Sequence, residues 1–332
     1  MAEAKKQQGM KAVFTEGSTM RHVIVMTLTS AIGLMAIFVV DAITLFYISQ
    51  LNDAAQTAAV GRASYVLGFV IGMSVGFMIG ASAMVARSIG AGDEEAARSY
   101  AGTSLITAFA FGAIVTLVGF LLTDWFMALL KAEGPALEYA RIYLYIVLPT
   151  MPFLSVGMVT MGLLRAKGDA KRSMVLPLIG GVLTAALDPI FIFVFGWEVV
   201  GAAVVSSIMR VTFAVLGIYF VVRTHNMVVI PKLDRYVQDL KNILVIAVPT
   251  VATNLAAPVG AFLIAQAVAD FGDAAIAGQS VVDRLVPLAF GVIFSLSGAV
   301  GPIIGQNFGA FKMPRVRQAL IDAIVFNAVY VL

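Results

Sequence analysis

Cysteine is absent from this 332-residue chain, which excludes a disulfide framework, a thiolate nucleophile and any cysteine-ligated metal. Charge is scarce as well: Asp, Glu, Lys and Arg supply 12% of the residues, against roughly 25% in soluble globular domains. No HExxH pair, no Walker loop and no nucleophile beside a base occurs, which argues against an enzyme. What fills the chain is hydrocarbon, at 60% hydrophobic residues and a mean hydropathy of +0.96, the composition of an integral membrane protein. The net charge of +3 implies no nucleic-acid partner, because in a membrane protein the placement of Lys and Arg carries the information.

A bilayer core of about 30 Å takes about 20 helical residues to cross. Eight apolar runs are long enough, near 23–49, 60–86, 100–123, 141–164, 174–195, 199–222, 242–268 and 275–303. A ninth begins near 318 and reaches Leu332 about five residues short of a span, so the sequence reads as truncated. The first run is too long for a signal-peptide core and lacks a small-residue cleavage site, so it is read as a retained helix.

Lys and Arg crowd the N-terminus and alternate loops: Arg87 and Arg98, then Arg165, Lys167, Lys171 and Arg172, then Arg223, Lys232, Arg235 and Lys241, then Lys312, Arg315 and Arg317. The opposite loops hold only Lys131. The positive-inside rule puts the N-terminus in the cytoplasm, and a plasma (inner) membrane is the expected location. His22 and His225 flank membrane ends and are expected to be solvated, while Arg62 and Arg284 lie near the outer boundary, where snorkelling explains them about as well as a substrate role does. Pro249, Pro258 and Pro287 are expected to kink their helices.

The second span ends in ASAMVARSIGAGD and the eighth in GAVGPIIGQNFGAFK, with Gly90–Ala91 and Gly309–Ala310 sitting 219 residues apart. Six helices separate the copies, so both halves enter the membrane with the same polarity, as in parallel-repeat transporters. The expected organisation is an all-α polytopic bundle. It has an N-terminal segment (1–22), a six-helix first lobe (23–223), a linker (224–241) and a partial second lobe (242–332).

Two carboxylates interrupt the apolar runs. Asp41 lies eight residues, about 12 Å, below the end of its helix near Ser49, and Asp188 lies at nearly the same depth in LTAALDPIFIF. Thr184 stacks one turn below Asp188, and Ser206 lies seven residues into the following helix. These hard oxygens could hold a small cation (Na+ on Asp41 and Asp188) or a shared proton, and an intramembrane acid is a functional-site hypothesis by default. Pro189 frees a carbonyl one turn back, either a plain kink or a further ion ligand. Arg210, four residues beyond Ser206, offers the alternative of a buried ion pair with Asp188 that would act as a staple instead. The 22 Phe and 16 Met suit a cleft for varied organic cations, with Phe38, Phe153 and Met161 as candidate lining, although packing and lipid contact absorb most such residues.

Six segments in order resemble the multidrug and toxic compound extrusion (MATE) transporters: FVVDAITLFYI, GASAMVARSIGAGDEEAAR, LPTMPFLSVGMVTMGLLRAKGDAKRSM, LDPIFIF, VGAAVVSSI and IGQNFGA. The resemblance implies a Na+- or H+-coupled antiporter exporting small organic molecules by alternating access between two six-helix lobes, with the equivalents of Asp41, Asp188, Thr184 and Ser206 binding the coupling ion. Thr184 stands where that branch commonly has Asn, which leaves the cation open. The seventh span has no acid between Lys241 and Asp270, which disfavours the second-lobe cation site of another branch. The resemblance also implies that the remainder of the second lobe is missing, so the chain alone should not transport. A lipid-linked saccharide flippase and an uncoupled channel or receptor are the competing readings.

Overall fold

The computed structural model describes residues 10–331, less the side chains of Arg284 and of residues 286–289, so the expectations for Arg284 and Pro287 fall outside the described residues. Ten α-helices follow one another among the described residues: α1 Thr19–Ser49, α2 Ala54–Gly90, α3 Glu94–Leu129, α4 Gly134–Val147, α5 Met151–Lys167, α6 Ala170–Pro189, α7 Glu198–Ile218, α8 Leu233–Val268, α9 Asp273–Gly309 and α10 Met313–Val331. Their starts are written locally. Ser18, Asp53, Asp93 and Asp169 each accept a hydrogen bond from a backbone N–H of the first turn, satisfying donors that helix geometry leaves free.

Seven spans among the described residues are long and apolar enough to cross a membrane, and α9 is as long as α2, 37 residues. The fourth span differs from the expected unbroken 141–164. Pro149 and Pro152 divide it into α4 and α5 across a tight turn at Leu148–Thr150, because neither proline can donate to the preceding turn. Beyond Pro189, α6 loosens into a π-helical turn over Ile190–Val194, with Phe195 N bonding Ile190 O at 2.9 Å. Pro249 and Pro258 leave α8 continuous, and α8 begins at Leu233, inside the expected linker.

Helix α2 is the central post. Two thirds of its apolar window (67%) is buried, whereas α3 buries 11% of its window and turns Phe109, Leu117 and Leu121 outward, as a lipid-facing helix must. Small residues let α2 occupy the centre: Gly68, Gly72, Gly76 and Gly80 repeat every fourth residue and form a ridge against α8. A Cβ at Gly76 would lie 2.5 Å from Val251 Cα, and one at Gly80 would lie 2.8 Å from Ala247 Cβ.

The repeat seen in the sequence is carried by the structure. Both ends of α2 recur in α9 at the same offset, Ala54 with Asp273 and Gly90 with Gly309, and α10 begins 219 residues after α3. Gly90 faces the backbone of Gln306 while Gly309 faces the backbone of Arg87, and Arg87 and Gln306 are themselves repeat equivalents. Contact and counter-contact exchanged in this way are the signature of a two-fold axis between α2 and α9. Its second anchor lies at the other end of the helices, where Gly61 faces Ser280, again its own equivalent.

Candidate functional site: an acid layer within the first repeat

The α1–α6 seam brings the intramembrane acids together. Gly33 accepts Pro177 at close range and Gly181 accepts Val40, so the two helices lie near enough for side chains above them to bond directly. Asp188 is fully buried, and its Oδ2 accepts a hydrogen bond from Thr44 Oγ1 at 2.5 Å, while its Oδ1 has no hydrogen-bond partner. Asp41, three residues before Thr44, is exposed on α1 and lies within electrostatic reach of both Asp188 and Arg210. Thr44 is the residue that sequence reasoning missed. Its signal was its place one turn beyond Asp41 on the same helical face.

The other expected members sit differently. Thr184 is buried one turn from Asp188 and donates to Gly180 O at 3.0 Å, which leaves its oxygen lone pairs for a further partner. Ser206 is half-buried on α7. Among the described residues, Asp188 and Arg210 form no ion pair, so the buried staple is not what this structure contains. Arg210 is 6% exposed, and its Nε and Nη1 have no hydrogen-bond partner. No cluster of three acidic or histidine side chains occurs among the described residues, so a cation held here would depend on hydroxyls and carbonyls beside the two carboxylates.

Of the three cavity candidates, Phe38 is half-buried on α1, one turn before Asp41. Met161 is packed in the apolar core, and Phe153 packs edge-to-face on the outward-turned Phe109 with centroids 6.2 Å apart. An apolar groove of about 490 Å³ lies elsewhere, between α9 and α10 along Ser297, Gly301 and Leu320; it shares no residue with the acid layer, whose chemistry identifies the site better than volume does.

Three polar residues taken for boundary groups are structural ties. Arg62 does not snorkel: it is 1% exposed, donates to Leu130 O at 3.1 Å and Lys131 O at 3.4 Å, and pairs with Asp273 at 2.7 Å. It thereby caps the end of α3 and joins it to the start of α9. His22 meets Glu16 O at 2.8 Å. His225 meets Asp169 Oδ2 at 2.8 Å, and Arg172 binds the same oxygen at 2.5 Å. Burial pushes the Asp169 carboxyl up, but the hydrogen bonds from His225 and Arg172 overturn this and hold it below the usual carboxylate range.

Helix bundle, internal two-fold and paired intramembrane acids, one of them fully buried, define a polytopic membrane transporter. The MatE family model matches residues 23–190 and 249–332. The chain belongs to the MatE family. It is 28% identical over 302 residues to multidrug export protein MepA of Staphylococcus aureus, covering 90% of this chain and 67% of that protein. It is 27% identical over 314 residues to the FAD transporter of Shewanella oneidensis, covering 92% of this chain and 69% of that one. A solved structure described as the outward-facing conformation of a multidrug resistance MATE family transporter of the MOP superfamily superposes with a TM-score of 0.86 at 25% identity, covering 98% of this chain and 72% of that one.

Proposed function

We propose that the chain is the ion-coupling part of a multidrug efflux antiporter, with Asp188 and Asp41 as the groups through which Na+ or a proton drives export of organic cations by alternating access. The observation that carries this reading is the orphaned Oδ1 of a fully buried Asp188, whose other oxygen is held by Thr44 and whose neighbour is a second carboxylate. Such an atom in a membrane core is costly unless a cation or proton satisfies it. The distribution of Lys and Arg supports an N-terminus in the cytoplasm of a cell whose plasma membrane holds the protein. The likeness to the Staphylococcus aureus exporter supports drug-like substrates.

Coupling between two sites is reciprocal in binding free energy, so it is readable without transport. The purified chain should bind a fluorescent organic cation, and Na+ or acid should release it. Release by neither would remove the coupled reading. A second reading is favoured by the unpartnered donors of buried Arg210 and by the likeness to a FAD transporter: the substrate carries an anionic group that the guanidinium receives. Displacement of the bound dye by a flavin dinucleotide, lost in Arg210→Gln, would select it.

A further inference from the structure

The N-terminal segment is gripped by both repeats. At one end Met10 N donates to Glu94 Oε1 at 2.7 Å, in the first turn of α3. At the other, Arg315 of α10 spans three carbonyl groups, donating to Phe14 O at 3.0 Å, Glu16 O at 3.2 Å and Gly17 O at 2.9 Å. Between them, Gln306 of α9 accepts from Phe14 N at 2.9 Å and donates to Ala166 O of α5 at 2.8 Å, so one amide ties the segment to both halves. The Phe14 ring is 3% exposed and lies in the same apolar cluster as Ala299 and Ile303.

The internal two-fold supplies a control. If the fold alone demanded this packing, the equivalent segment on the other repeat would show it. The equivalent of Phe14 is Leu233, which is 76% exposed, and the equivalent of Arg315 is Ala96, which has no side-chain donor. The grip is therefore written into particular residues on one side of the axis. It lies at the end of α2 and α9 where Gly90 and Gly309 bring the two backbones into close approach.

We propose that residues 10–17 are a latch that holds the basic-loop end of the two repeats closed and must leave its seat before that end can open. The proposal rests on the alternating-access reading for its purpose, but its test reads conformation alone. The latch is released by removing Arg315, which grips backbone, or Phe14, which anchors the segment.

Because the chain has no cysteine, Ala299→Cys places a single thiol in the buried apolar cluster that holds Phe14. In the purified chain in detergent, a bulky maleimide should label this thiol slowly. Adding Arg315→Ala or Phe14→Ala should raise the rate about tenfold, the factor that corresponds to about 1.4 kcal/mol of lost closure. Leu233→Ala, at the equivalent position, should leave the rate unchanged. If Arg315→Ala yields no folded protein, Arg315→Lys carries the same test, since an ammonium cannot span three carbonyls as a planar guanidinium does. Unchanged labelling in folded latch variants overturns the proposal, and so does an equal rise in Leu233→Ala, which would mean general loosening. A failure of ion-driven dye release with labelling as expected would overturn the coupling reading and leave the latch standing.

Discussion

At the scale of single residues, Asp188 and Arg210 invite opposite tests because each has buried polar atoms that nothing hydrogen-bonds. Asp188→Asn keeps the shape and removes the charge. If the aspartate serves the ion, ion-dependent dye release disappears while the melting temperature stays nearly unchanged, since no ion pair is broken. Were the two residues a staple in a state other than this one, each single variant would lose about 3 to 5 kcal/mol and Asp188→Asn/Arg210→Gln would recover it. A thermal-unfolding cycle on the three variants decides between them. Asp169 carries the pH prediction. Its carboxyl is held low in the folded protein, so its contribution is fully present above the ordinary carboxylate pKa of about 3.9 and is lost as pH falls below that. Asp169→Asn should therefore cost about 1.5 to 3 kcal/mol at neutral pH and flatten the acid limb of the stability profile, as read by melting from pH 7 to 3. Asp41 and Asp188 were legible because charge in an apolar run is conspicuous. Thr44, Arg62 and His225 were not, since a hydroxyl in a helix looks neutral and a boundary cation looks solvated until its partner on a distant helix is known.

The positions of the helices were legible because hydrophobic length alone sets a span, although several run about six residues beyond the apolar run. The departures have local causes: prolines split α4 from α5, and α8 extends back into the polar linker. The glycine ridge on α2 could have been read from its four-residue spacing, but its partner could not, because spacing names a face and not what covers it. That partner reverses an ordinary rule. Alanine is favoured over glycine in a helix by about 1 kcal/mol, and Gly278→Ala, where a Cβ meets nothing within 4 Å, should stabilise by up to that amount. Gly76→Ala, with its Cβ 2.5 Å from Val251 Cα, should instead destabilise by about 1 to 3 kcal/mol as α8 is pushed away. Melting temperatures of the two variants moving in the same direction would show that the α2–α8 seam is looser than described.

For the whole molecule, the parallel repeat could be read from one pair of glycines, whereas the ties between the repeats could not. Arg62 to Asp273, Lys131 to Asp270 and Tyr65 to Asp283 each join residues far apart in the chain, and no periodicity announces such pairs. Two of them, Arg62 to Asp273 and Tyr65 to Asp283, hold α2 to α9 at the end opposite the latch. Gly61 and Ser280 mark that end, with a Cβ at position 61 lying 3.0 Å from Ser280 Cβ, slightly inside the 3.5 to 4.5 Å typical of a disulfide. In the cysteine-free chain, Gly61→Cys/Ser280→Cys should therefore oxidise readily to an intramolecular bond. A protease site inserted between α7 and α8 makes the bond visible, because the two halves then run together on a non-reducing denaturing gel and apart after reduction. Gly61→Cys paired with Gly278→Cys is the control, since a Cβ at position 278 meets nothing and should remain unlinked. Equal cross-linking of both pairs would mean that α9 turns freely against α2, and absence of cross-linking in the first would mean that the axis does not pass between these helices. A bond confined to Gly61 and Ser280 fixes the rotation of α9 about its own axis, which in turn fixes which face of the second repeat confronts Asp41 and Asp188 when the latch end opens.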